Sequence, residues 1–377
     1  PHLNLSSSGH RQTRDLRSSG INLSGDPLVG PFNTFDARAQ LTQVLFDPST
    51  ISRLKSAQAG EKLSNAELRK TKEDVLALIA DMYINARRSF QGLSYAEIRL
   101  AHESKRLEMV KNRLDNGIST DLECKQIQAE YDAAVSFQKQ METQALNTRL
   151  DLLAELGLDL NQDIQFSDED ELDSSISQLE PAGSEEKDLP ELEVAKQEFL
   201  VSQHHHAAAR SEYFPQILAM ADYGLSGLKP TDGSETYTLG VQATLPLFDG
   251  GFRRSTIKEA ESQLKSSEAN VRDVGVKLNA RIIQIHESVK QSQLLVTEKL
   301  SKLDSAQKQL SLTQKRLEDG TATDVERLES VTQEAMAQDE VHEAEAVLLT
   351  AQINWLHVLG KMENLVDESS TLKEVRP

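Results

Sequence analysis

Two glutamates beside a glycine turn, Glu326 and Glu329, are the residues of this sequence best spaced to do chemistry. At i,i+3 on a helix they share one face, so both carboxylates point into the same space. Such a pair sets up a local negative field. The background is heavy, because the chain carries 60 acidic residues and exposed charge is the ordinary state of such groups. Three adjacent histidines, His204, His205 and His206, splay around a helix axis and cannot close on one ion, so no metal site is expected. The single cysteine, Cys124, forms no internal disulfide. No phosphate-binding loop, nucleophile elbow, zinc-binding helix motif or Cys-x-x-Cys occurs, so neither an enzymatic activity nor a cofactor is expected.

The elements that position these glutamates are long. Of 377 residues, 38% are hydrophobic, 5% aromatic and 27% charged. That is the composition of long helices clothed in polar side chains rather than of a thick globular core. A net charge of −19 argues against nucleic acid and against anionic lipid surfaces as partners. No run of 18 apolar residues occurs, so any membrane span has to be a β-barrel.

Residues 213–250 read as a β-hairpin. Tyr237, Leu239, Val241, Ala243, Leu245 and Leu247 alternate with Thr236, Thr238, Gly240, Gln242 and Thr244, one apolar and one polar face. Ile217 to Leu225 alternates more weakly, and the turn-forming LKPTDGSE separates the two strands at 228–235. Each strand is about ten residues, the length of a tilted transmembrane strand. Residues 1–47 hold a first version, with Phe35, Ala37, Ala39, Leu41 and Leu45 on one side. Its loop, Arg11 to Gly30, carries Arg11, Arg14 and Arg17.

Helical patterns fill the rest. Residues 48–158 form an antiparallel helical hairpin that turns at RLDNGIST, Arg113–Thr120, and stops at Gly157. Residues 159–188 hold eleven acidic residues and one lysine, a solvated linker or loosely packed segment. Residues 189–212 are helical again. Residues 251–360 form a second hairpin: one helix from Gly251 to Lys315, the turn RLEDGTAT at Arg316–Thr323, and a return from Asp324 to Leu359. A tail, 361–377, follows. The two turns recur about 200 residues apart, as do the strand ends VLFD and PLFD, so the chain is a tandem repeat. The second copy has a helix before its hairpin and the first has none, which points to a helix and a signal ahead of Pro1. In the long helix Ile257, Leu264, Val271, Leu278 and Ile285 repeat every seven residues. After a step of four, Val289, Val296, Leu303, Leu310 and Leu317 do so again. The pattern predicts a coiled-coil-like wall with a stutter near residue 287.

Four strands cannot close a barrel, which needs about eight, and their open edges invite aggregation. Either they join the strands of other copies or they lie outside a membrane.

With YFPQ at 213–216, LPLFDGG at 245–251 and the two RLxxG turns, the chain resembles the TolC-like outer-membrane factors of bacterial efflux and type I secretion over nearly its whole length. The resemblance implies a mainly α fold with membrane β-barrel strands: a homotrimer with a twelve-stranded barrel over an α-helical periplasmic tunnel. Hairpin loops would face outside and the acidic segment would form an equatorial collar. It implies an outer-membrane location, contact with outer-membrane lipid, a periplasmic adaptor (membrane fusion) protein and an inner-membrane pump as partners. By family position, Glu326, Glu329 and Glu123 form carboxylate rings at the tip constriction, where relatives more often carry Asp. Arg113, Leu114, Gly117, Arg316, Leu317 and Gly320 belong to adaptor-contact turns. A gating Arg of the family is replaced here by Ala322. Tyr213, Phe214 and Phe248 fall at the membrane interface, whereas Trp355 reads as helix packing. The reading is a passive gated exit duct. Its rival is a periplasmic coiled-coil adaptor or scaffold, disfavoured because such proteins carry one helical hairpin where this chain has two. The exported cargo is not written in the sequence.

Overall fold

The computed structural model describes residues 1–15, 17, 28–162, 164, 166 and 189–364, so most of the acidic segment and of the tail lie outside the described residues. The chain is mostly helical with one antiparallel sheet, and it divides into two compact units.

The first unit, Pro1–Leu63 with Ala195–Val271, contains the sheet. Its strands are β1 (His2–Asp15), β2 (Leu28–Phe46), β3 (Gln216–Gly227) and β4 (Gly233–Thr244), ordered β1-β2-β3-β4 and paired antiparallel throughout. Register brings their alternations into phase. Leu3, Leu41, Ala221 and Leu239 form one row across the sheet, and Leu5, Ala39, Tyr223 and Tyr237 form the next. One face is therefore mainly apolar and open to the surroundings, with Leu239 74% exposed, and Ser7, Gln43 and Glu235 are polar residues on it. The other face carries Asn4, Ser6, Gln40, Thr42, Thr236 and Thr238. β1 and β4 are edge strands of this sheet.

Two sequence expectations are corrected. The strands of the second hairpin are 12 residues each, a little over the expected ten, and those of the first are 14 and 19. The first loop is also shorter than Arg11–Gly30, because β1 pairs through Asp15 and β2 begins at Leu28, across a bulge between Gln12 and Arg14. Ladder bonds come from the backbone, so arginines and glutamines that lie in solvent do not interrupt them. For the same reason Glu235 is a β4 residue opposite Leu225, and the second turn narrows to the residues between Gly227 and Gly233.

Among the described residues the long helices are α1 (Pro48–Asp115), α2 (Asp121–Glu155), α3 (Pro190–Ser211), α4 (Phe252–Glu318) and α5 (Asp324–Leu359). α1 and α4 have 68 and 67 residues, about 100 Å each at 1.5 Å per residue. The second unit, Ser64–Val194 with Arg272–Pro377, is helix on helix. Leu107 and Val110 of α1 meet Ile127 of α2. Leu303 of α4 meets Ala337 and Val341 of α5, and Lys299 and Lys302 reach Glu340 alongside. Ile84 of α1 packs with Leu349, Ile353 and Leu356 of α5.

The seven-residue rows of α4 form its packing seam. Leu278 and Leu303 are buried and the other members half-buried, while off-row Val276, Ile283 and Leu294 are exposed. Trp355 packs beside Leu278 and Leu189, its ring 5.4 Å from that of His286. Beyond α5, Gly360 (φ 65°) ends the helix in the left-handed region, and Glu73 of α1, 1% exposed, accepts the Met362 N–H at 2.7 Å. Burial pushes the Glu73 carboxyl above the ordinary glutamate range. Phe166, from the acidic segment, packs tilted against Phe90 with ring centroids 4.9 Å apart and helps line a cavity of about 630 Å³ between α1 and α5.

Leu303→Ala removes a buried seam side chain and should cost about 2–5 kcal/mol, whereas Leu294→Ala, off the seam, should cost under about 0.5 kcal/mol in the isolated chain. Thermal melts followed by circular dichroism in detergent will rank the two. Equal melting temperatures would contradict the seam.

Candidate functional site

The two inter-helix turns are built alike. In the first, Gly117 (φ 74°) reverses the chain, and the Ile118 and Ser119 N–H groups donate to the Arg113 carbonyl at 2.8 and 3.2 Å. In the second, Gly320 (φ 69°) does the same, with the Thr321 and Ala322 N–H groups on the Arg316 carbonyl at 2.7 and 3.1 Å. Glycine is required because a Cβ strains a positive φ. Leu114 and Leu317 turn partly inward, while the Arg113 and Arg316 side chains stay exposed. The first turn also displays two large apolar side chains, Ile118 and Leu122, that sequence reading passed over.

Each turn leads into a capped helix, and here the glutamates acquire a structural role. Thr120 caps α2, accepting the Glu123 N–H at 3.2 Å, while Ser119 Oγ donates to Glu123 Oε2 at 2.7 Å. Thr323 caps α5 in a complete capping box. Its hydroxyl accepts the Glu326 N–H at 3.2 Å, and its own N–H donates to Glu326 Oε2 at 2.7 Å. The Thr323 N–H holds the Glu326 carboxyl below the usual glutamate range, so it is anionic at neutral pH. Glu123 and Glu326 thus face the starts of their own helices, where the helix dipole also favours negative charge. Glu329, exposed one turn further on, takes no part in the cap. Ala322 puts no charge at the position where the family resemblance implies a gating Arg.

In the first unit, the strand-to-helix junctions hold the aromatic candidates. Asp249 Oδ2 accepts from Arg253 Nε at 2.6 Å, and Oδ1 accepts from the Gly251 N–H at 3.1 Å. The Arg253 hydrogen bond holds the Asp249 carboxyl below its usual range. The buried Arg253 guanidinium also donates to the Pro246 carbonyl at 2.6 Å and lies 4.9 Å from the centre of the Tyr213 ring. Asp47 plays the capping part in the first repeat, taking hydrogen bonds from Ser49 and Thr50. Tyr213, Phe214 and Phe248 are all exposed where strands meet helices.

The polar face of the sheet holds a cluster that sequence reading missed. Arg38 Nη1 donates to both carboxylate oxygens of Asp222 at 2.7 and 2.9 Å, and Nη2 donates to Thr236 Oγ1 at 3.0 Å. Asp36 lies 3.6 Å from Arg38 Nε and accepts from Ser226 Oγ at 2.5 Å. The Arg38 side chain crosses Gly224, its register partner; a Cβ there would sit 2.7 Å from Arg38 Cγ. The available signal was charge at the polar positions of alternating strands. Of the histidine run, His205 is exposed and its neighbours half-buried, and among the described residues no group of His, Cys, Asp or Glu is arranged for a metal.

Comparison with known proteins bears on these features. The family model described as outer membrane efflux protein matches residues 1–158 and 185–361, the two repeats without the acidic segment. The chain is 26% identical over 171 residues to the outer membrane efflux protein BepC of Brucella suis, covering 45% of this chain and 37% of BepC. It is 22% identical over 337 residues to the alkaline protease secretion protein AprF of Pseudomonas aeruginosa, covering 85% of this chain and 68% of AprF. The chain therefore spans little more than a third of the first relative and about two thirds of the second. Among solved structures, the Campylobacter jejuni CmeC outer membrane channel superposes with a TM-score of 0.79 at 14% identity, over 98% of this chain and 81% of that one. The outer membrane protein VceC of Vibrio cholerae gives 0.76 at 16% identity, over 95% and 86%. At such identities the structures speak for the fold.

The caps make a local prediction. Thr323→Ala should destabilise the start of α5 by about 1 kcal/mol while Thr323→Ser keeps the cap, read as hydrogen-exchange protection at the Glu326 amide. Because Glu326 has a lowered folded pKa, its contribution is present above the unfolded glutamate pKa and is lost as pH falls through the lower folded value. Protection at the Thr323 amide, corrected for intrinsic exchange, should hold at neutral pH and fall only in acid below the usual glutamate range.

Proposed function

The chain belongs to the outer membrane efflux protein family, and on that premise we propose that it is the outer-membrane exit duct of a tripartite efflux or type I secretion system. In this reading three copies each contribute four strands to one twelve-stranded barrel, and their long helices line a periplasmic tunnel. The duct is passive. An inner-membrane pump drives transport, and an adaptor opens the constriction by engaging the turns at Arg113–Thr120 and Arg316–Thr323.

The observation that carries the proposal is the sheet. It has one mainly apolar and one mainly polar face in register, and its edge strands β1 and β4 each pair on one side only among the described residues. An apolar face suits lipid and a polar face suits a water-filled lumen. Four strands are about half of what the smallest barrel needs, so further strands from other copies would complete both edges. Exposed Arg113, Ile118 and Leu122 at the first turn support a protein contact there. For the constriction, Glu329 has the unengaged role and Glu326 contributes its charge from within the cap. Glu123, tied to Ser119, contributes the same way. Family membership favours this reading over a periplasmic adaptor or scaffold. The relatives' names speak of both efflux and protease secretion, so the cargo class follows the pump.

Three outcomes are expected. The protein will need detergent for extraction and will run as a trimer by native mass spectrometry in mild detergent; a stable monomer or a freely soluble chain contradicts the duct. In planar bilayers, Glu326→Gln with Glu329→Gln will lower cation selectivity, with Glu329→Gln alone giving most of the change; unchanged selectivity removes both from the constriction. Leu122→Asp will weaken crosslinking of the first turn to the adaptor while leaving the trimer intact.

A further inference from the structure

Where the sheet is four strands wide, from the His2–Thr42 row to the Gly9–Phe35 row, its polar face is almost uncharged. Serines, threonines, asparagine and glutamine make up most of it, with His2, Met220, Gly224 and Gly240. Asp36, Arg38 and Asp222 are the side chains on it that are formally charged at neutral pH, and they fall in three consecutive polar-face rows. Arg38 is joined to both carboxylates, bidentate to Asp222 and at 3.6 Å from Asp36. All three side chains remain partly open, between 21% and 34% exposed, so their field reaches the space in front of the sheet. The cluster has a net charge of −1, with Arg38 as its one cation.

We propose that this cluster is a second charged belt of the duct, lining the barrel, and that Arg38 is the residue that sets its sign and strength. The proposal rests on the exit-duct reading, which turns the polar face toward the lumen. Two carboxylates per chain attract cations, and one guanidinium offsets half of that charge. The belt therefore favours small cations and cationic cargo weakly, and the tuning lies in one side chain. Geometry keeps the tuning in place. Gly224 leaves the path over β3 open, and Thr236 on β4 takes the remaining guanidinium hydrogen bond, so the charge is held at one level of the face. In a water-filled lumen the field is screened over about 10 Å at 0.1 M salt and about 30 Å at 0.01 M. The effect of the belt is thus a low-salt property.

The test is ion selectivity of the purified full-length trimer in planar bilayers under a potassium chloride gradient. A Glu326→Gln, Glu329→Gln background removes the tip contribution. Arg38→Gln takes the cluster from −1 to −2 and should raise the potassium-to-chloride permeability ratio about twofold near 0.01 M salt, with the difference vanishing near 1 M. Asp222→Asn takes it to neutral and should move the ratio the other way. Arg38→Lys keeps the charge while losing the guanidinium that reaches Asp222 and Thr236 together, and should keep the ratio of the background. That last variant separates charge from packing. Should Arg38→Gln fail to assemble, Asp222→Asn and Arg38→Lys decide between them. Conducting trimers whose low-salt ratio is unmoved, or moves the same way in Arg38→Gln and Asp222→Asn, overturn the belt and leave the duct standing. A wild type that forms no pore overturns both.

Discussion

The backbone register of the four-stranded sheet is the constraint on which the rest depends. Side chains alternate with a period of two, so a slip of one residue would turn a whole strand over. Leu5, Ala39, Tyr223 and Tyr237 would no longer share a row, and Asp222 would face the apolar side. Apolar residues alone hold such a register weakly when they face lipid or solvent rather than a packed core. The polar side supplies the missing specificity. Arg38 starts on β2, crosses Gly224 on β3 and reaches Thr236 on β4, with Asp222 fixing it sideways. A slipped register would leave that guanidinium without its bidentate partner. A residue proposed to tune the pore is thus also one that aligns the strands.

From the sheet, order passes to the helices through compact junctions. Asp47 and Asp249 each take several hydrogen bonds where a strand ends and a long helix begins. The two repeats solve the problem differently. In the first, hydroxyls of Ser49 and Thr50 satisfy the carboxylate. In the second, Arg253 does so and also grips Pro246, Glu212 and Tyr213. Once started, a helix of nearly 70 residues is held by its seam, not by propensity, because isolated helical segments gain little on their own. The four-residue step near residue 287 lets one row of side chains stay on that seam along all of α4.

The turns show how one group serves two ends. A glutamate three residues past a capping threonine closes the α5 helix start, and in doing so stays ionised at neutral pH. A capping box thus keeps a carboxylate both ionised and fixed in place. Glu329 is held by helix geometry alone, so its side chain is the more adaptable of the pair.

Much of this was legible in the residues. The period of two at 236–247, the period of seven along α4, the glycines at 117, 320 and 360 and the duplicated RLxxG turns determined the strands, the helices, their ends and the repeat. All are local patterns, and local backbone preference reads them directly. Tertiary structure decided what depends on pairing across the chain. That Arg38 meets Asp222, 184 residues away, follows from which strands neighbour each other and in what register, and no local period encodes either. That Glu326 caps the start of α5 is by contrast local, because Thr323-Asp-Val-Glu326 is a capping-box pattern that the sequence already carried. Strand length beyond Gln12 was decided by backbone pairing, since exposed polar side chains leave no hydrophobic trace to read.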